Sequence, residues 1–132
     1  CYWVPLLCRY TGARLSEIAQ LDCSDIACSE EGIHYLNLRR GEGQSIKTDS
    51  SLRHIPIPAH VMDLGFLDYV KKAKGRLFPD LPIGTYGKAS GALSKWWSAR
   101  VKSKGISISQ PTHAFRHTFK TCILYTYDAA DE

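Results

Sequence analysis

The 132-residue sequence has five cysteines but no Cys-x-x-Cys pair, and it has no long hydrophobic run. An odd number of irregularly spaced cysteines predicts neither a disulfide framework nor a zinc site, and a Cys23–Cys28 bridge is disfavoured because we expect reduced, mostly packing cysteines. The longest apolar runs, such as residues 4–8, are far too short to span a bilayer. No secretory signal opens the chain. The first residue is cysteine rather than methionine, so we expect a piece of a longer protein.

Acidic residues are scarce in the second half of the chain. Asp80 is the one acid between positions 71 and 127, a stretch rich in lysine and arginine, and the whole chain carries a formal net charge of +4. Such a stretch can lie along a polyanion or can be a solvated basic face, and charge alone does not decide between them. Hydrophobic content of 44% with 23% charged residues is typical of one ordinary globular domain.

Hydrophobic periodicity predicts a mainly helical α+β fold with a small three-stranded antiparallel sheet. Pro56 and Pro58 favour an edge position for the last strand. On the helix predicted over 88–104, Trp96 and Trp97 fall on the apolar stripe, which favours core packing over stacking with nucleic-acid bases. The helices are predicted over 2–10, 14–21, 59–74, 88–104 and 111–124, and the strands over 33–38, 44–48 and 53–57.

The residues that can carry chemistry lie far apart in the sequence. Guanidinium groups match phosphate geometry and stay charged, so Arg14 at a helix start and Arg116 on the last helix are candidates for gripping an anion. His113 lies one helical turn before Arg116 and can donate to phosphate or exchange a proton. Lys47 beside a turn can reach a leaving alkoxide, and Glu17 can orient Arg14.

Each of these residues also has a structural interpretation. A single arginine at a helix start is usually a surface residue, His113 can neighbour a helix cap, and His117 can be a partly buried polar side chain. The i, i+4 spacing of the two histidines can hold zinc, but no third ligand of the right kind lies near in sequence, so no metal is predicted.

Three segments, in order, resemble boxes of the tyrosine recombinases, the phage integrase family. Residues 11–18 (TGARLSEI) resemble the first arginine box, and residues 46–57 (IKTDSSLRHIPI) resemble the β-hairpin with the active-site lysine. Residues 113–117 (HAFRH) resemble the His-x-x-Arg box. The segments 64–69 and 77–79 are similar to integrases of bacterial prophages. The resemblance implies the DNA breaking–rejoining catalytic fold.

The resemblance also implies a role for each matched residue. Arg14 and Arg116 would clamp the scissile phosphate, with Glu17 supporting Arg14. Lys47 would be the general acid for the leaving 5′-hydroxyl, and His113 would assist proton transfer or phosphate binding. In such enzymes a tyrosine holds the cut strand as a phosphotyrosine, so no cofactor is implied.

Double-stranded DNA at attachment sites is the partner that the resemblance implies, together with self-association of the intact protein on DNA. No membrane is implied, and we expect a bacterial, cytoplasmic, prophage-encoded protein. The residues expected to contact DNA are Arg14, Lys47, Arg53, Arg116 and His117.

The end of the chain departs from the family's pattern. The family's nucleophilic tyrosine lies well downstream of the His-x-x-Arg box, whereas sixteen residues follow Arg116 here. Tyr125 and Tyr127 come too soon and lack the expected preceding sequence, so no nucleophile is assigned. Residues 1–124 are therefore expected to be a truncated catalytic domain and residues 125–132 a disordered or non-native tail. We expect this fragment to bind DNA phosphate without cleaving the strand.

Three other functions stay open on sequence alone. The chain can be a catalytically inactive DNA-binding remnant of a prophage integrase. It can belong to a type IB topoisomerase-like enzyme, which uses a similar set of arginine, lysine and histidine. It can also be a helical interaction domain without a nucleic-acid role.

Overall fold

A computed structural model describes residues 2–39, 52–82 and 90–128, the last six by their backbone alone. This part of the chain is a mixed, mainly helical arrangement with a small antiparallel sheet, as predicted. A 3-10 turn at Cys23–Asp25 precedes the sheet. The other elements are α1 (Trp3–Thr11), α2 (Leu15–Ala19), β1 (Ile26–Cys28), β2 (His34–Leu38), β3 (Arg53–Pro56), α3 (Ala59–Asp63), α4 (Phe66–Lys72), α5 (Ser90–Ser103) and α6 (Pro111–Asp128).

The sheet has the order β1-β2-β3, with β2 paired antiparallel to both neighbours. Leu36 of β2 lies opposite Ile26 of β1 and Ile55 of β3, and its side chain is fully buried. The structure confirms the strands predicted over 33–38 and 53–57, whereas the edge position predicted for the last strand stays a prediction. The strand predicted over 44–48 lies outside the described residues.

The sequence did not predict β1, which pairs with β2 on the side away from β3. With only three residues, Ile26–Cys28, β1 is too short to show an alternating pattern, and it exists because it pairs with β2. The prediction of one helix over 59–74 was wrong. Gly65 adopts φ of 90°, and this left-handed backbone divides the segment into α3 and α4.

The core lies where α1 and α2 meet the sheet, α3 and α4. Trp3 of α1 packs edge-on against the fully buried Phe66 of α4, with ring centroids 5.1 Å apart. The Tyr69 hydroxyl donates to the Leu77 carbonyl at 2.7 Å and thereby fastens α4 to the segment that follows it. The largest fully buried apolar side chains are Phe66, Leu7, Ile18, Leu36, Leu77, Val4 and Val61.

The helix α5 is less buried than its apolar stripe predicted. Leu93 is its one buried residue, and Trp97 is half-buried against Phe115 of α6, with ring centroids 5.8 Å apart. Trp96 is 47% exposed, so the prediction that it anchors the core was wrong. Helix α5 packs against α2 and α6, and the exposed Trp96 ring contacts its neighbour Trp97, with ring centroids 5.9 Å apart.

The cysteines pack less than we expected. Cys8 is buried, Cys23 is half-buried, and Cys28 and Cys122 are exposed; none of these four described cysteines forms a disulfide. Burial, with the nearby Glu17 carboxylate, raises the pKa of the Cys8 thiol to about 12. Cys8 is therefore a packing residue, as predicted, whereas Cys28 and Cys122 are not.

The last helix continues four residues past the predicted end at Leu124 and includes Tyr125 and Tyr127. Residues 129–132 lie outside the described part, so the predicted tail stays a prediction. Across the described residues, every helix is too short or too polar to cross a membrane.

Candidate functional site

The turn between α1 and α2 fixes the position of Arg14. Thr11 at the end of α1 donates its hydroxyl to the Leu7 carbonyl at 2.6 Å and accepts from the Ala13 N–H at 3.2 Å. Gly12 follows with φ of 63° and closes α1 through a 3.1 Å bond from its N–H to the Cys8 carbonyl. This sharp reversal places Arg14 at the N-cap of α2.

Glu17 joins the beginning of α2 to the sheet. Its carboxylate accepts from the Arg14 backbone N–H at 2.7 Å, which caps α2, and from Arg14 Nη1 at 3.0 Å. It also accepts from both terminal nitrogens of Arg53, at 3.1 and 3.0 Å. The Glu17 residue is only 5% exposed, so this carboxylate is a buried acceptor shared by two arginines 39 positions apart in sequence.

The electrostatics of the cluster follow from this arrangement. Burial by itself raises the pKa of the Glu17 carboxyl, but the hydrogen bonds and charges of Arg53 and Arg14 outweigh burial and lower that pKa below its ordinary value. Glu17 is therefore ionised at neutral pH. The predicted support of Arg14 by Glu17 agrees with this geometry. Arg53, which was predicted to contact DNA, donates from both terminal nitrogens to Glu17.

Arg116 reaches the same region from α6. Its Nη1 donates to the Gly12 carbonyl at 2.5 Å, across 104 positions of sequence. Burial, and then the like charges of Arg14 and Arg53, lower the pKa of the Arg116 guanidinium below its ordinary value. The fold thus brings Arg14, Arg53 and Arg116 close enough for their charges to interact, with the Glu17 carboxylate between them.

Phe119 completes the contact between α6 and the turn. A β-carbon at Gly12 would overlap the Phe119 ring, so only glycine allows α6 to approach this closely. The approach is what lets Arg116, one turn earlier on α6, reach the Gly12 carbonyl.

An open cleft of about 440 Å³ lies where the beginnings of α2 and α6 face α5. Arg14 and His113 both line it, although 99 positions separate them in sequence. The amino end of α6 also opens there, at Pro111 and Thr112, so backbone N–H groups and the helix dipole favour an anion in the cleft. Ser90, Ser94 and Ser98 of α5 form the opposite wall and add hydroxyl groups.

The predicted site residues divide into three groups. Arg14 and His113 line the cleft. Glu17 binds Arg14 and Arg116 lies near it, and neither of these two is among the described lining residues. His117 is exposed on α6, outside the described lining. Lys47 lies outside the described residues.

The β2–β3 ladder brings Leu38 close to the arginine cluster. Leu38 and Arg53 are partners in this ladder, and Arg53 binds Glu17.

Sequence reasoning did not identify the hydroxyl-rich wall of the cleft. The signal was present, because Ser90, Ser94 and Ser98 recur every four residues and therefore share one side of α5. The prediction for this helix rested instead on the neighbouring apolar stripe, which contains Trp96 and Trp97. Within the described residues, no group of three or more His, Cys, Asp or Glu side chains is placed to hold a metal ion.

In comparisons with known proteins, no family model, no curated protein and no solved structure matches this chain.

Proposed function

We propose that the cleft binds a phosphodiester of double-stranded DNA, and that the chain is part of a DNA strand-breaking and rejoining domain of the tyrosine recombinase type. The observation that carries the proposal is the meeting of Arg14 and His113 at the amino end of α6. Two cationic or proton-donating side chains and a helix terminus around one open cleft provide the donors that the non-bridging oxygens of a phosphate require.

In this proposal Arg14 donates to the phosphate from the side of the cleft opposite α5. It is positioned to do so because the bond from its Nη1 to Glu17 holds the planar guanidinium in one orientation. His113 is exposed at the cleft and one turn before Arg116 on α6, so it can donate to a phosphate oxygen or move a proton.

Arg116 has a different part in the proposal from the one that the family resemblance implies. Its Nη1 is already engaged by the Gly12 carbonyl. From that position its charge strengthens the positive field at Arg14, and its remaining N–H groups are available to a strand that enters deeply. Lys47 stays the proposed general acid.

The order of the three matching segments supports the recombinase type beyond phosphate binding. The first segment supplies Arg14, and the last supplies His113 and Arg116. The fold brings these two segments together, although nothing in their separate sequences requires it. A helical interaction domain without a nucleic-acid role gives no reason for this juxtaposition.

The test is the affinity of the chain for a generic 20-base-pair duplex, measured by fluorescence anisotropy across a salt series. Arg14→Ala removes a proposed phosphate contact and should weaken binding by roughly tenfold, with the log–log salt slope flattened by about 0.9. Arg100→Ala is the matched control, because Arg100 is exposed on α5 and lies outside the described cleft lining.

Circular dichroism melting of both variants separates lost contact from lost fold. The proposal is supported if folded Arg14→Ala loses affinity and slope while Arg100→Ala keeps both. It fails if the chain does not bind duplex DNA, or if the two variants lose affinity equally.

A further inference from the structure

A second cavity continues the cleft along α5. It has a volume of about 570 Å³ and lies between the carboxyl half of α5 and the loop that leads to α6. Ser98 and Ser109 line both cavities, so the two adjoin at these residues. Together they form one groove, which we call the α5 groove, from Arg14 and His113 at one end to Lys102 at the other.

We infer that the α5 groove holds a run of DNA strand, so that nucleotides flanking the clamped phosphodiester continue past Ser98 to Lys102. This inference rests on the proposed function, because Arg14 and His113 define where the run begins. It goes beyond the proposed function by assigning a second contact region to residues that take no part in the proposed contact of Arg14 and His113 with the phosphodiester.

The length of the groove fits several nucleotides rather than one phosphate. Ser90 and Lys102 are twelve residues apart on one helix, which corresponds to roughly 18 Å along its axis. One strand of B-form DNA advances ~3.4 Å along the duplex axis for each nucleotide. The groove is therefore longer than a single phosphate needs.

The chemistry of the lining fits a nucleic-acid strand. Ser98 and Ser109 offer hydroxyl donors at the middle of the groove, and Lys102 offers an ammonium at its far end. Among the described residues, the lining of the two cavities includes no Asp or Glu. Anionic phosphates would therefore meet donors and positive charge along the whole groove.

The far end of the groove also has an apolar wall. Ile106 and Ile108 line the second cavity and are 49% and 48% exposed. A free inorganic anion gives these side chains nothing to cover, whereas the deoxyribose of a DNA strand presents an apolar surface between successive phosphates. The combination of apolar wall, hydroxyls and lysine thus favours a strand as the occupant.

The experiment compares Lys102→Ala with the matched control Lys72→Ala in the same anisotropy assay. Lys72 is exposed at the end of α4 and lies outside the described lining of the groove. Lys102→Ala should flatten the log–log salt slope by about 0.9, so that between about 50 and 200 mM salt the wild-type chain loses roughly threefold more affinity than the variant. Lys102→Arg should restore the slope, because it keeps the charge.

A double variant tests whether the two ends hold the same strand at once. If Arg14 and Lys102 contact one bound duplex, their separate slope changes should add to about 1.8 in Arg14→Ala/Lys102→Ala. Ser98→Leu, at the junction of the two cavities, should also weaken binding because its side chain fills the groove.

The outcomes distinguish this inference from the proposed function. If Arg14→Ala weakens binding while Lys102→Ala and Ser98→Leu behave like Lys72→Ala, the clamp stands and the α5 groove is overturned. If Arg14→Ala is also without effect, the proposed function has failed and the groove with it. The groove is likewise overturned if polyglutamate of equal charge displaces the duplex as well as unlabelled DNA does, since the occupant would then be any polyanion.

Discussion

Replacing Arg53 by alanine should destabilise the protein, because it removes two of the four hydrogen bonds that the buried Glu17 carboxylate accepts. Each hydrogen bond to a charged group contributes about 1.5–3 kcal/mol. The sum must be reduced, because Glu17 keeps both bonds from Arg14 and because the Arg53 side chain is 29% exposed and partly screened by water. We expect the free energy of unfolding to fall by about 2 kcal/mol.

The assay is urea unfolding followed by circular dichroism at neutral pH. Arg100→Ala provides a matched control, and as an exposed substitution it should stay within about 0.5 kcal/mol of wild type. A cycle with Glu17→Gln isolates the pair, since the double variant should lose less than the sum of the two single variants.

The pH dependence of the stability loss distinguishes a lost Glu17–Arg53 ion pair from a loss of packing alone. The pKa of Glu17 is lowered in the folded chain, so its contribution is present above the unfolded value of about 4.3 and is lost as pH falls through the folded value. Without Arg53, burial is less opposed and the folded pKa should rise. The stability difference between wild type and Arg53→Ala should therefore be largest near pH 7 and shrink below about pH 4. A difference below 0.5 kcal/mol, or one that stays constant between about pH 3 and 7, would refute this reasoning.

Two further predictions concern the turn and the core beneath this cluster. Gly12→Ala should lower the free energy of unfolding by about 2–4 kcal/mol, because Gly12 has φ of 63° and no room for a β-carbon. Gly91→Ala in α5, where a β-carbon meets nothing within 4 Å, should instead be neutral or stabilising by up to about 1 kcal/mol in the same urea titration. Cys8, buried with a pKa of about 12, should resist alkylation in the folded chain at pH 8 while the exposed Cys28 reacts. Peptide mass mapping checks this, and equal modification rates for the two thiols would contradict it.

The parts of the fold that were predictable depend on interactions local in sequence. Regular apolar spacing fixed α1, α5, α6 and β2 to within a few residues. The link from Arg14 to Glu17 was predictable because three residues on a short helix put both side chains on one side. The division at Gly65 was missed, because an apolar period of 3.6 continues across it and only the glycine's freedom to adopt φ of 90° shows the break.

The contacts that build the site were not predictable in the same way. Arg53 binds Glu17 across 36 positions and Arg116 binds Gly12 across 104, and neither distance follows from a periodic pattern. Each depends on tertiary packing: β3 must pair with β2 at the register that places Arg53 opposite Leu38, and α6 must approach Gly12. The family resemblance suggested that Arg14 and Arg116 come together, but it gave no reason to expect the two carboxylate bonds of Arg53.

Glu17 explains how the site can be ready before a ligand arrives. Arg14 contacts both this carboxylate and the cleft, so it lies between a buried anion and the space where a second anion would bind. A free arginine side chain loses up to about 2 kcal/mol of rotamer entropy when a ligand immobilises it. Here much of that cost is met on folding, because the 3.0 Å bond to Glu17 and the capping bond to the Arg14 backbone already orient the residue. Arg53 and Arg116 lie close by and add positive charge to that of Arg14, so an anion is favoured where Arg14 lines the cleft.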